Sequence, residues 1–204
     1  MQVSPCTRNY RDELQTGRAD AVPLPPDGQV KRVLEQGCSA GQLTMALKQK
    51  FPEAEVWGND IGAPMLRFAH MRSVDLGIET HYAHELCEES QFPDNYFDII
   101  TNFLLYHEIP EQVGRDIIHE SFRTLRPGGI WYPMDIYTSA APPQSAYGKF
   151  SSWFDHRWNS EVWWLDYRDL APDFENEMKR AGFEVRRHPT GRGNRTNIMG
   201  VKPA

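Results

Sequence analysis

The chain has 204 residues, which suits one α/β domain with modest elaborations and is long enough to bury a core. Its formal net charge is −6, which argues against a nucleic-acid partner because such proteins normally present a basic surface. The three cysteines lack CxxC spacing, so we expect neither a disulfide framework nor a metal site. The sequence shows no signal-peptide run and no apolar segment long enough to span a membrane, so we expect a cytoplasmic protein.

Residues 1–30 are polar and proline-containing, and we expect an N-terminal arm and linker with one helical turn near residues 10–15. From residue 31 onward, short apolar runs alternate with segments of helical periodicity. The predicted strands are residues 31–36, 54–60, 78–84, 96–105 and 129–135, and the predicted helices are residues 41–51, 63–77 and 110–126. The last of these helices is expected to stop at the sequence RPGG. This alternation predicts a doubly wound parallel sheet.

The C-terminal third departs from this alternation of strands and helices. Residues 137–167 are dense in tryptophan and tyrosine and fit neither a strand nor a helix of the alternation. A helix is predicted for residues 168–182. It is followed by strands at 183–188 and 195–202, joined by PTGRGN, a connection that favours an antiparallel hairpin.

The sequence GCSAG, from Gly37 to Gly41, allows two interpretations. It fits the turn that presents a hydrolase nucleophile, with Ser39 followed later by Asp135 and by His156 or His188. That turn normally lies deeper in the sheet, and no oxyanion segment precedes it here.

The second interpretation is a loop that holds a nucleotide-like ligand. Glu35 ends the first strand, Gly37 and Gly41 follow, and a helix begins at once. Asp60 ends the second strand, where a carboxylate can accept hydrogen bonds from both hydroxyls of a ribose. A dinucleotide fingerprint fails, because Ser39 and Gln42 occupy glycine positions of G-x-G-x-x-G.

Four stretches together resemble the class I S-adenosylmethionine-dependent methyltransferases, close to the small-molecule branch that includes quinone-biosynthesis enzymes. These stretches are VLEQGCSAG, VWGNDIGAPML, FPDNYFDIITNFLLYHEIP and ESFRTLRPGGIWYPMD. The resemblance implies an α/β, Rossmann-like, doubly wound, mostly parallel sheet of seven strands, the last antiparallel, with helices on both faces. It implies a methyltransferase domain over residues 31–204 and a lid-like insertion at about residues 137–167.

The resemblance also implies a cofactor site for S-adenosyl-L-methionine and its product S-adenosyl-L-homocysteine. The expected contacts are Glu35, Gly37, Cys38, Ser39, Gly41, Asp60, Ile61, Met65, Glu85, Leu86, Asn102 and Phe103. Ser39 replaces the family's middle glycine and is expected to fit with a negative φ. Glu85 replaces the family's adenine-binding aspartate, and Asn102 and Phe103, just past the fourth strand, are expected to offer a backbone carbonyl.

The acceptor side is expected beyond the fourth and fifth strands. His107 is a candidate general base, and Tyr106 a candidate catalytic partner. Four further residues are expected to line the substrate pocket: Asp135, Tyr137, Trp153 and His156.

We therefore predict an enzyme that methylates a small molecule. A methyltransferase-like module that binds cofactor or a partner without turnover is the alternative. The short N-terminal arm fits a fragment of a longer chain, or a homodimer in which a partner chain provides the lid.

Overall fold

The computed structural model describes residues 10–135, 145–147, 150, 173–189 and 196–204. In chain order the elements are α1 (Tyr10–Ala21), β1 (Arg32–Gln36), α2 (Gln42–Lys50), β2 (Glu55–Asp60), α3 (Ala63–Leu76), β3 (His81–His84), β4 (Phe97–Phe103), a 3₁₀ turn (Tyr106–Glu108), α4 (Glu111–Thr124), β5 (Leu125–Met134), the helical residues 173–181 (α5), β6 (Glu184–Pro189) and β7 (Thr196–Val201). The predicted alternation of strands and helices is confirmed over these residues.

The strands of the described residues form one seven-stranded sheet in the order β3-β2-β1-β4-β5-β7-β6. β1 to β5 pair in parallel, and β7 runs antiparallel to both β5 and β6. The predicted fold class, with its antiparallel last strand, is therefore confirmed. The strand order reverses between β1 and β4, and the crevice at the carboxyl ends of strands beside such a switch point is where open α/β sheets bind ligands.

Each face of the sheet carries its own hydrophobic core. On one face, α1 and α2 contribute Ala19, Leu43 and Leu47, which pack with Val33 and Ile99 of the sheet. On the other face, a second cluster joins the sheet to α4 and α5; its fully buried side chains include Leu34, Ile100, Ile117, Trp131 and Phe174. Because successive strand residues point to opposite faces, β1 and β4 are apolar on both sides.

Several boundaries differ from the sequence expectation, and two of these differences concern α1 and α4. α1 has 12 residues rather than one turn, because Ala19 and Val22 are buried in the core and Lys50 of α2 binds the carbonyls of Ala19 and Asp20 at 3.0 Å each. The helix predicted to reach residue 126 ends at Thr124. β5 starts at once and pairs with Phe97, and the RPGG stop signal lies within a register irregularity of that strand.

Most of the predicted lid, including Tyr137, Trp153 and His156, lies outside the described residues. None of the described helices is long and apolar enough to cross a bilayer.

Candidate functional site

The loop after β1 is tied to the end of β2 through backbone hydrogen bonds. Cys38 N donates to Asn59 O at 3.0 Å, and Gly41 N donates back to Cys38 O at 2.8 Å. Ser39, at the tip of the loop, has φ +48°. The expectation that its φ stays negative is wrong. The left-handed conformation directs Ser39 N–H at Oδ2 of Asp60, 2.8 Å away, and this bond offsets the steric cost of a Cβ there.

Two glycines shape this loop by excluding side chains. A Cβ on Gly41, which has φ +68°, would lie 2.4 Å from Tyr82 Oη and 2.8 Å from Ala69 Cβ. A Cβ on Gly58 of β2 would lie 2.8 Å from both the Cβ and the Sγ of Cys38. Gly41 therefore lets the loop pack on β3 and α3, and Gly58 lets it pack on β2. Neither Gly58 nor Tyr82 was singled out from the sequence, because their contacts are long-range.

Asp60 stands between two loops at the mouth of the crevice. Its Oδ2 accepts the N–H of Ser39, and its Oδ1 accepts the N–H of Gly62 at 2.7 Å, just before α3 begins. Two backbone donors thus fix the plane of the carboxylate, while each oxygen keeps further acceptor capacity. This is the arrangement that binding of two vicinal hydroxyls requires.

Glu35, the second predicted acid, is buried beneath the loop with only 4% of its surface exposed. Thr44 Oγ1 of α2 donates a short hydrogen bond to Glu35 Oε2. Burial raises the pKa of Glu35 from 4.5 to about 8, and the negative charge of Asp60 adds to that effect. Thr44 opposes the shift and was missed in the sequence because threonine inside a helix carries no specific signal.

Apolar side chains stand exposed around Asp60. Ile61 is 67% exposed, Leu86 is 44% exposed, and Met65 is 42% exposed. His84 Nε2 lies 2.9 Å from the carbonyl oxygen of Ile61 and holds the backbone of that rim. Exposed apolar side chains next to an acid that can bind a ribose are suited to hold a flat heteroaromatic ring.

Glu85, the predicted adenine contact, lies on the loop after β3. Its Oε2 accepts the N–H of Gln91 at 3.1 Å. Asn59 Nδ2 donates to the carbonyl of Leu86 at 3.4 Å, and Asn59 Oδ1 lies 3.7 Å from the Sγ of buried Cys87. Asn59 thereby ties this loop to β2, a role that the sequence did not reveal.

Asn102 and Phe103 are the last two residues of β4 rather than residues just past it. Leu104 N donates to Met134 O toward β5, so strand alternation turns the carbonyl of Phe103 toward β1. The pairing of β4 with β1 ends at Gln36, and beyond it Cys38 N donates to Asn59 of β2 rather than to β4. The carbonyl of Phe103 is therefore aimed into the crevice.

Two further features mark this end of β4. The guanidinium carbon of Arg18 lies 3.6 Å above the centroid of the Phe103 ring, which brings α1 to the rim of the crevice. Asn102 is fully buried, and neither Oδ1 nor Nδ2 of its amide has a hydrogen-bond partner among the described residues. An unsatisfied buried amide is costly, and its position at the switch point is suited to a ligand or to water held by a ligand.

His107 and Asp135 form a hydrogen-bonded pair beyond β4 and β5. His107 Nδ1 lies 3.1 Å from Asp135 Oδ1, and His107 Nε2 lies 3.2 Å from Oε1 of the exposed Glu108. The Asp135 side chain is fully buried and also accepts the N–H of Tyr106 at 2.9 Å. Asp135, predicted as a pocket residue, is instead a partner that orients His107.

The ring of Tyr106 lies in the hydrophobic core. It is fully buried and packs edge-on against Phe174 at 4.9 Å and against Trp131 at 6.3 Å. This environment gives an acceptor no access to the ring, whereas the side chain of His107, although largely buried, keeps 11% of its surface exposed.

Within the described residues, nothing brings Ser39 together with an acid and a histidine as a serine hydrolase requires. Asp135 is bonded to His107, and His188 of β6 packs edge-on against Tyr132 at 5.8 Å. Ser39 uses its backbone N–H to hold Asp60. Within the described ranges, no group of three or more His, Cys, Asp or Glu side chains could hold a metal ion.

The residues present fit S-adenosylmethionine. The cofactor carries positive charges on its sulfonium and ammonium and a negative charge on its carboxylate. Of the acids at this edge of the sheet, Asp60 and Glu85 are partly exposed, whereas the side chains of Glu35 and Asp135 are buried. The unsatisfied amide of Asn102 lies at the same edge.

The doubly wound sheet, the glycine loop after β1 and the fixed acid ending β2 define the architecture of a class I S-adenosylmethionine-dependent methyltransferase. Residues 33–129 match the family model described as "Methyltransferase domain". The chain belongs to this methyltransferase family.

Curated relatives carry names from quinone biosynthesis. The chain is 31% identical over 134 residues to a demethylmenaquinone methyltransferase of Thermus thermophilus, covering 64% of this chain and 57% of the relative. It is 32% identical over 169 residues to the ubiquinone/menaquinone biosynthesis C-methyltransferase UbiE of Burkholderia mallei, covering 76% of this chain and 68% of the relative. The chain thus spans little more than half of the Thermus protein.

A solved structure supports the fold. The crystal structure of the S-adenosylmethionine-dependent methyltransferase SibL in its apo form matches with a TM-score of 0.68 and 19% identity, covering 94% of this chain and 56% of that chain. At this level of identity the likeness shows the fold alone.

Proposed function

We propose that this chain is an S-adenosylmethionine-dependent methyltransferase that transfers a methyl group to a small-molecule acceptor. The observation that carries the proposal is the carboxylate of Asp60, held by the N–H groups of Ser39 and Gly62 at the mouth of the switch-point crevice. Family membership supports the same function.

The family's pattern, supported by the positions of these residues at the crevice, indicates which residues would hold the cofactor. Asp60 would accept the ribose hydroxyls, and Ile61, Met65 and Leu86 would flank the adenine. The carbonyl of Phe103 would accept a hydrogen bond from the ammonium, and Glu35, buried beneath the loop and bonded to Thr44, would reach it only through water. Glu85, on the loop after β3, would face the adenine amino group. Cys38 and the glycines would contribute backbone contacts.

When bound, the cofactor supplies an activated methyl group on a positively charged sulfur, so the chain's own task is alignment and proton handling. With Nδ1–H donated to Asp135, Nε2 of His107 is the atom that can accept a proton from an acceptor hydroxyl. The carboxylate of Glu108, 3.2 Å from Nε2, is placed to accept the resulting N–H. Asp135 fixes the ring orientation throughout.

We further propose that the acceptor is a hydroxylated aromatic ring. The Thermus and Burkholderia relatives are named for methylation in menaquinone and ubiquinone biosynthesis, the latter at carbon. Removal of a ring hydroxyl proton by His107 would raise the electron density of the ring carbons, which is the activation that carbon methylation needs.

Calorimetric titration tests the cofactor assignment. S-adenosylmethionine and S-adenosylhomocysteine should bind, and NAD should not. Asp60→Ala should weaken binding by about 1.5–3 kcal/mol, the usual cost of losing a hydrogen-bonded charged partner. Tighter binding of NAD, or unchanged affinity in Asp60→Ala, contradicts the proposal.

Transfer of labelled methyl to a panel of hydroxylated aromatics tests the role of His107. His107→Asn should lower the transfer rate about 10²–10⁴-fold while cofactor affinity stays within about twofold. His119→Asn is the matched control, because His119 is half-exposed on α4 and pairs with Glu177 instead. Equal losses in the two variants would remove His107 from the mechanism.

The alternative, a module that binds cofactor without turnover, predicts normal titrations and no labelled product with any acceptor.

We propose that the protein is located in the cytoplasm. The described cysteines, Cys38 and Cys87, are free thiols, which supports a reducing compartment.

A further inference from the structure

The outer face of α3 is unusually apolar for an exposed helix. Phe68 is 49% exposed, Met71 is 60% exposed, and Val74 is 64% exposed. Single exposed apolar residues are common, whereas a contiguous group on one helix face indicates an interaction surface.

The helical repeat explains why these three residues share a face. Leu66, Ala69 and Ser73 of α3 are buried against the domain. At 100° per residue, the opposite side of the helix holds Phe68, Met71 and Val74. The same side carries two charged residues, Arg67 and Asp75, one toward each end of the group. We call these five residues the α3 face.

The α3 face is complementary to itself. In an antiparallel helix pair with its two-fold axis at Met71, residues whose numbers are equally distant from 71 meet. Met71 then contacts Met71 of the partner subunit, and Phe68 contacts Val74 of the partner subunit. Arg67 meets Asp75 of the partner subunit, and symmetry repeats the apolar contact and the ion pair. Met71 lies at the centre of this seam, and each end carries an apolar contact and an ion pair side by side.

We propose that the chain forms a two-fold homodimer through the α3 face. The charges favour a second copy over an anionic bilayer, because Asp75 lies within the face and the chain carries a net charge of −6. In the part of the chain that the structure describes, no ion pair involves Arg67 or Asp75, so both are available to a partner.

The size of the seam sets the strength of the dimer. α3 has 14 residues and is therefore about 21 Å long. A seam of one helix from each subunit lies at the small end of specific interfaces, where association is weak and reversible. The proposal is independent of the proposed function, since it uses no residue of the crevice.

Sedimentation equilibrium across about a hundredfold range of concentration tests the proposal. The wild-type chain should shift from monomer to dimer, and Met71→Glu should stay monomeric. Leu24→Glu is the matched control, because Leu24 is 55% exposed but lies in the segment before β1, away from α3. It should dimerise as the wild type does. At protein concentrations where the wild type is monomeric, thermal melts of both variants should match the wild type, since neither side chain is buried.

Charge reversal identifies the pairing itself. Arg67→Glu and Asp75→Lys should each raise the dissociation constant at least about tenfold, because like charges then face each other twice. The double variant Arg67→Glu/Asp75→Lys should return to within about threefold of the wild type. A monomeric wild type, a dimer that survives Met71→Glu, or a double variant without recovery overturns the proposal. Binding to phosphatidylcholine–phosphatidylglycerol vesicles that is lost in Met71→Glu, with no dimer in solution, would assign the face to a membrane instead.

Discussion

Glu35→Gln is the substitution with the most direct consequence for stability. Glu35 is almost completely buried, its oxygen accepts a hydrogen bond from Thr44, and its pKa rises from 4.5 to about 8. Burial is the main cause, because a carboxylate loses its hydration there, and the charge of Asp60 acts in the same direction. The folded chain therefore holds a proton on Glu35 at pH values where the unfolded chain has released it.

The sign and size of the effect follow from linkage. A group whose pKa is higher in the folded state contributes its full stability below pH 4.5, and that contribution is lost as the pH rises through about 8. At about 1.4 kcal/mol per pH unit of difference, the total loss is up to about 4–5 kcal/mol. Glutamine keeps the shape and the polar contact with Thr44 but cannot ionise, so the free energy of unfolding should lose this pH dependence.

Urea denaturation at about pH 5, 7 and 9 measures the prediction. Wild-type stability should fall across this range by several kcal/mol more than that of Glu35→Gln, and the variant should be the more stable protein at about pH 9. Glu53→Gln is the control, since it removes the same charge from an exposed turn. If Glu35→Gln and the wild type show parallel pH profiles, the carboxylate is ionised in the folded protein and the reasoning fails.

Three further substitutions test the loop and α1, and a fourth, at the end of α3, is a control. Ser39→Gly should stabilise the chain by about 1 kcal/mol in urea denaturation, because it relieves a positive φ of 48°; a loss of stability would mean that the serine hydroxyl makes an essential contact. Gly41→Ala should destabilise by about 2–4 kcal/mol, because strain adds to a clash with Tyr82. Gly77→Ala, with φ +66° and nothing within 4 Å of its Cβ, should cost only the strain, so equal losses would exclude the clash. Lys50→Ala should lower stability by about 1–2 kcal/mol and speed amide exchange in α1, whereas unchanged exchange would show that core packing alone holds that helix.

The parts of the fold that were predicted correctly are those that local pattern determines. β4 is apolar on both faces because it lies in the centre of the sheet. A central parallel strand has a continuous apolar sequence, and this pattern predicted β4. The loop after β1 and the acid ending β2 were found for a similar reason, since glycines and an aspartate directly after predicted strands are typical of a ligand-binding edge. These features place the crevice at the switch point without any long-range information.

The parts that were not predicted depend on contacts between distant residues. α1 extends to Ala21 because Lys50, far along the chain, binds its last carbonyls. Ser39 takes a positive φ because its N–H bonds to a carboxylate 21 residues away. Neither partner can be recognised from the sequence around the residue it contacts. For Ser39, local propensity also disfavours the positive φ.

The difference between local pattern and long-range contacts also explains why the side chains of Tyr106 and His107 lie in different surroundings although the two residues are neighbours in sequence. In the short 3₁₀ turn after β4, adjacent side chains leave the backbone in different directions. The ring of Tyr106 enters the core beside Phe174, while His107 stays at the edge, where Asp135 fixes its ring. The sequence could place both residues at the carboxyl end of β4, but only the position of α5 decides which of them the core accepts. The general-base proposal therefore rests on the His107–Asp135 pair, and the aromatic neighbour serves to anchor the turn that presents it.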